Sequence, residues 1–267
     1  MPPLQLDRGT AREAIASAVR APRARQRYWG ASRAHRYSLL FALPLLVAYE
    51  ALAALLSGPA GGMRNGADAL LRDAFIAVAG SRGPLLFAAC LAGAGIWLVG
   101  RDMRANGRHL RASVFAGMAA ESLALALLFG IVVGTVTAQL LGGFATLALA
   151  GPAAMGWWAR LMVPLGAGLY EELFFRVLLV SALAYGARKL FGWRALPAGA
   201  FAAIVGAFIF SAFHYIGPYG DRLELQSFMF RWIAGLAFSA LYLARGFGIT
   251  AWTHALYDVF LLLALGR

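Results

Sequence analysis

Seven runs of about 20 predominantly apolar residues dominate this chain, each long enough to cross a bilayer as a helix rising roughly 1.5 Å per residue. They are Tyr37 to Leu56, Pro84 to Gly100, Ser113 to Gly134, Met162 to Tyr185, Leu196 to Tyr215, Ser227 to Ala244 and Phe247 to Leu265. In hydrocarbon every backbone N–H and C=O must find its partner inside the protein, which restricts such runs essentially to helices. Of 267 residues, 61% are hydrophobic and 13% charged, an apolar excess over soluble domains. The expected fold is an all-α, polytopic transmembrane helical bundle of seven or eight spans. The eighth candidate, Gln139 to Ala150, is short and glycine-rich, and Asn65 to Ala79 reads as a helix lying at the interface.

Positive charge follows the spans. Eight arginines lie in the first 36 residues and four between Arg101 and Arg111; Arg188, Lys189, Arg194 and Arg245 complete the set on one side of a seven-span arrangement. Excess positive charge marks cytoplasmic loops, so residues 1–36 form a basic cytoplasmic segment, with an interfacial helix around Ala11 to Val19, and residues 37–267 a single transmembrane domain. The net charge of +12 sits in short loops and that segment, which fits anionic lipid head groups rather than nucleic acid. Twenty-three arginines against one lysine point to a GC-rich bacterial genome and hence to the inner (cytoplasmic) membrane. The single cysteine, Cys90, excludes an intrachain disulfide and is read as packing inside the second span.

Against this background the stretch LYEELFFRVLL, Leu169 to Leu179, carries three ionisable groups in the fourth span. Such groups inside a membrane face a cavity or a partner and mark function by default. Glu172 and Arg176 are four apart and share a helix face, where they can pair; Glu171 projects about 100° away and is left free. The fifth span ends with Phe210 and His214 four apart, and the seventh holds His254 and Asp258 at the same spacing. Glu121, in the third span, could line the same cavity, whereas His35 and His109 lie in basic loops.

A water-accessible intramembrane cavity holding these carboxylates and imidazoles has the parts for peptide-bond hydrolysis. In one mechanism Glu171 and His214 activate a water while His254 and Asp258 orient groups or stabilise the oxyanion. In the other, Glu171, His214, His254 and Asp258 bind zinc, which generates the nucleophile. HExxH is absent and no two histidines stand four apart on one helix, so the metal-free route, with no cofactor, is preferred.

EELFFR, FSAFH and HALYD match EExxxR, FxxxH and HxxxN/D in order and spacing. The chain therefore resembles the CPBP intramembrane proteases, which include the CAAX prenyl endopeptidases and bacterial relatives, over about residues 160–262. The resemblance implies a glutamate-type intramembrane protease with Glu171 and His214 as the water-activating pair. Glu172, Arg176 and Phe210 would support them, and His254 with Asp258 would form the oxyanion site. The family often has asparagine where this chain has Asp258. Expected substrates are membrane-embedded or membrane-associated peptides. A transporter would also need intramembrane ionisable groups, yet no internal repeat is visible and the polar residues gather in one half; a non-catalytic membrane scaffold is the remaining alternative. Counting along the spans puts His214 near an outer end, Glu171 near mid-membrane and His254 roughly 10 Å from an inner end. Tilted or broken helices, or a dipping loop at Ile216 to Leu225, are needed to bring them together.

Overall fold

A computed structural model describes residues 27–57, 64–141, 156–217 and 220–265, and among these every regular element is helical. After a helical piece at residues 27–33, the chain forms α1 (His35–Leu55), α2 (Gly66–Ala79), α3 (Gly83–Asn106) and α4 (Ala112–Leu141). Next come α5 (Trp157–Gly166), a π-helical stretch (Ala167–Val180) and α6 (Ser181–Phe191), continuous with one another, then α7 (Ala195–Phe213), α8 (Leu225–Arg245) and α9 (Phe247–Leu265). Six stretches are long and apolar enough to cross a membrane: His35–Leu55, Gly66–Asn106, Ala112–Leu140, Ala195–Phe213, Leu225–Arg245 and Phe247–Ala264. Trp157–Phe191 is a seventh long helical rod and carries the charged motif. Outward side chains such as Val47, Val78, Leu85, Ile96, Ile131 and Ile204 are apolar and exposed, as lipid contact requires. The protein is a multi-pass α-helical membrane protein. The basic segment up to residue 26 and most of Gln139 to Ala150 lie outside the described residues.

Gly66–Asn106 does not run straight. Phe75 and Phe87 are twelve residues apart, about 18 Å along an ideal helix, yet their ring centroids lie 5.4 Å apart. The chain reverses at Gly80, whose φ of 57° suits glycine, so α2 folds back on α3 as a hairpin. This hairpin sits at the edge of the bundle, and Cys90 on α3 is exposed rather than packed inside as expected from its apolar neighbours.

The centre of the bundle is α9. Ala251 and Ala255 pack with Leu45 and Tyr49 of α1, Met162 of α5 and Leu169 and Tyr170 of the π stretch. On another side, Tyr257 joins Phe129 of α4 and Phe238 of α8, with Phe129 and Phe238 stacked at 4.0 Å. Near its start, Ile249 packs with Tyr37, Val114 and Met118.

The turn leading into α9 is drawn inside. Arg245 is 3% exposed; its Nε donates to Glu121 Oε1 at 2.6 Å and its Nη2 to Ser32 Oγ at 3.0 Å. Tyr28 Oη donates to the same carboxylate at 2.6 Å, and Trp29 lies 4.2 Å under the guanidinium. Glu121 is therefore committed here and does not join the candidate cavity, and Arg245 is no ordinary loop charge. Gly248 N donates to Ser38 Oγ at 2.7 Å and Ser122 Oγ to the Ile249 carbonyl at 3.4 Å, so the first turn of α9 is held between α1 and α4.

Candidate active site

Pro164, inside α5, has no N–H to give its own helix, and the turns widen into the π form from Ala167 to Val180. Stretches of this kind are rare and recur at functional sites. On the way out, Ser181 Oγ donates to the Arg176 carbonyl five residues back, at 3.2 Å. The π stretch lies hard against α9 at Gly168: a Cβ there would overlap the Ala251 carbonyl oxygen and sit 2.6 Å from Ala255 Cβ. Only a glycine lets the backbone bearing Glu171 and Glu172 approach the backbone bearing His254 so closely.

Although adjacent, Glu171 and Glu172 have different partners. Glu172 is fully buried; its Oε1 lies 3.1 Å from Arg176 Nη1 and accepts from His254 Nδ1 at 2.6 Å. Glu172 and Arg176 thus pair as their spacing implies, and the same carboxylate also orients His254. Arg176, 1% exposed, donates from Nη2 to the Gly235 carbonyl at 3.5 Å. Its guanidinium stacks 4.4 Å from the Phe210 ring and 5.5 Å from Phe238, where aromatic faces stabilise a cation without hydrogen bonds. Phe238 also lies parallel to the His254 imidazole, centroids 4.3 Å apart. Phe210 links Arg176 to both histidines, with its centroid 4.9 Å from His214, 6.4 Å from His254 and 5.1 Å from Phe175.

His214 caps α7, and its Nδ1–H donates to the Phe210 carbonyl at 2.9 Å. A carbonyl only accepts, so in the neutral ring this bond fixes the tautomer and leaves Nε2 as an acceptor. The His214 carbonyl in turn accepts from Asp221 N at 2.9 Å. Asp221 pairs with Arg231 of α8, and Arg231 Nη1 donates to Tyr215 Oη at 2.9 Å. The loop after α7 is therefore tied back onto α8. Glu171 and His214 are electrostatic neighbours, and Asp258 Oδ2 stands 3.5 Å from His254 Nε2, longer than a good hydrogen bond. The structure thus gathers Glu171, Glu172, Arg176, Phe210, His214, His254 and Asp258 from three rods of the bundle.

Sequence reading missed the N-terminal contribution. Asn65 Nδ2 donates to Glu171 Oε1 at 2.8 Å, while its Oδ1 accepts from Ala67 N and caps α2. Around it, Asp68 Oδ2 accepts from Tyr49 Oη at 2.8 Å and from Arg64 Nη1 at 2.7 Å. Arg72 bridges Asp68 Oδ1 at 2.6 Å and Glu50 Oε1 at 2.8 Å, and Tyr170 Oη donates to Glu50 at 2.6 Å. An asparagine opening an apolar helix, with an aspartate three residues on, signals an N-cap in the sequence. No local pattern links it to a glutamate 106 positions later.

Among the described residues no three His, Cys, Asp or Glu side chains converge as metal ligands. Nδ1 of both histidines is engaged, by Phe210 in one case and by Glu172 in the other, which leaves Nε2 of each ring for the site's chemistry. The family described as type II CAAX prenyl endopeptidase, Rce1-like, matches residues 152–260, a segment that holds all seven gathered residues. No curated protein and no solved structure matches the chain. Residues 152–260, with their paired glutamates and two histidines inside a helical membrane bundle, are similar to the Rce1-like family of CAAX protease-type enzymes.

Proposed function

We propose that this protein is an intramembrane endopeptidase that hydrolyses a peptide bond in a membrane-embedded or membrane-associated peptide, using water activated by Glu171 and His214. The observation that carries this reading is the division of labour between the two glutamates. Glu172 is occupied by Arg176 and His254, whereas Glu171, among the described residues, makes one hydrogen bond, through Oε1 to Asn65, and remains an electrostatic neighbour of His214. In this reading Glu171 Oε2 and His214 Nε2 share the water. One of them takes its proton as the oxygen attacks the carbonyl carbon, and the proton then passes to the amine as the C–N bond breaks. His254, turned by Glu172, offers Nε2 to the oxyanion; in that role the ring carries both protons and the Glu172 carboxylate offsets the charge. Asp258, next to Nε2, completes or orients this side.

In this reading the hydrolysis proceeds without a metal, a preference that rests on the absence of HExxH and of two histidines four apart on one helix. Lipid surrounds the enzyme and substrate enters from within the bilayer; the arginine-rich, lysine-poor sequence favours a bacterial cytoplasmic membrane. The test is comparative terminal proteomics of cells carrying the wild type, Glu171→Ala or His214→Ala. Both variants are expected to remain folded and to lose the same set of new peptide termini. Retained cleavage in both would exclude the mechanism, and substrate flux through liposomes that survives both substitutions without proteolysis would favour a transporter.

A further inference from the structure

We infer that Asn65, outside the matched family segment, is the positioning residue for the water-activating glutamate. This rests on the peptidase reading above. Asn65 is 5% exposed and each of its polar groups has a defined task. Its Oδ1 accepts from Ala67 N at 2.9 Å, its backbone N donates to Tyr49 Oη at 3.0 Å, and its Nδ2 donates to Glu171 Oε1 at 2.8 Å. The cap fixes which end of the amide is which: with oxygen committed to the helix N-terminus, the NH2 group must face Glu171. The amide is itself held on three sides. Gly166 lies so close that a Cβ there would sit 2.7 Å from Asn65 Cβ and 2.5 Å from the Tyr49 ring. Asp68, one turn along α2, anchors Tyr49, Arg64 and Arg72. Glu50 then returns the network to Tyr170, the residue before Glu171.

The consequence is chemical. A carboxylate that must take a proton from water presents one oxygen to it, and its other oxygen needs a fixed donor so that the group does not rotate. Asn65 supplies that donor on Oε1 and leaves Oε2 for the water. The hairpin formed by α2 and α3 is thereby part of the site: the motif segment brings the reacting groups, and the N-terminal half sets the angle of one of them.

Asn65→Asp keeps the shape and the cap but has no donor for Glu171, and Asn65→Ser keeps a capping hydroxyl without adding a charge. Both are expected to lower kcat about 10- to 100-fold, the loss anticipated for one hydrogen bond to a charged group, with KM nearly unchanged. A readout independent of turnover is the swap. Asn65→Asp should lower the melting temperature of the detergent-solubilised protein, and adding Glu171→Gln to the same chain should restore it, because the new amide donates to the new carboxylate. Wild-type kcat in both single variants, or absence of this coupling, overturns the assignment. If Glu171→Gln alone retains wild-type turnover, the peptidase reading fails instead, and the melting temperatures still decide the Asn65 contact.

Discussion

His254 and Glu172, 82 residues apart, meet at 2.6 Å from Nδ1 to Oε1, and that same oxygen lies 3.1 Å from Arg176. One buried carboxylate thus serves two cations or potential cations from α9 and from its own helix. Its remaining oxygen, Oε2, has no hydrogen-bond partner among the described residues, so the arrangement depends on Oε1.

Glu172→Gln should therefore be costly. It leaves the Arg176 charge buried without its counter-ion, a loss of about 3 kcal/mol for broken buried pairs. Thermal unfolding in detergent should show a clear drop, and combining the change with Arg176→Met should recover much of the stability without recovering activity. An unchanged melting temperature in the single variant would show that the pair does not hold the helix.

Asp258 stands where the family often carries asparagine. If its task is to hold or complement His254 Nε2, 3.5 Å away, a neutral amide of the same shape performs it. Asp258→Asn should stay within roughly tenfold of the wild-type rate, while Asp258→Ala should fall about 100-fold, the order seen when an oxyanion donor is removed. Equal loss in both variants would assign the task to the carboxylate itself.

Gly168→Ala tests the close approach of the π stretch to α9. The added methyl overlaps the Ala251 carbonyl and sits 2.6 Å from Ala255 Cβ, so about 1–3 kcal/mol of stability should be lost to overpacking. Displacing Glu172 from His254 should lower kcat at the same time. Wild-type turnover in this variant would mean that the two backbones can separate without consequence.

Metal content gives a direct check on the preferred chemistry. Purified protein with full activity should contain no stoichiometric zinc, and a chelator should leave the rate of peptide cleavage unchanged. Stoichiometric metal lost together with activity would replace the glutamate mechanism by a metal-assisted one.

Hydropathy made the helices legible because hydrocarbon imposes one solution on the backbone, and α1, α4, α7, α8 and α9 occur where the apolar runs place them. Spacing made Glu172–Arg176 legible, since four residues along a helix bring side chains together whatever surrounds them. Cys90 and Glu121 went the other way. Both sit in apolar runs, yet Cys90 is exposed and Glu121 is bound to Arg245, because hydropathy reports that a helix is in the membrane and not which of its faces meets protein.

That limit has a physical source. Lipid tails are as apolar as a protein core, so the residues that choose helix partners in a bilayer are small or polar and few. The sequence alone determined that the chain crosses the membrane repeatedly, that paired glutamates, two histidines and an aspartate recur in three apolar runs of the C-terminal half, and that they match a protease family. Tertiary structure alone decided three things: that Arg245, just before α9, pairs with Glu121, that Gly168 lets the π stretch touch α9, and that Asn65 reaches Glu171. Each depends on a contact between helices far apart in the chain, where no local pattern records the partner.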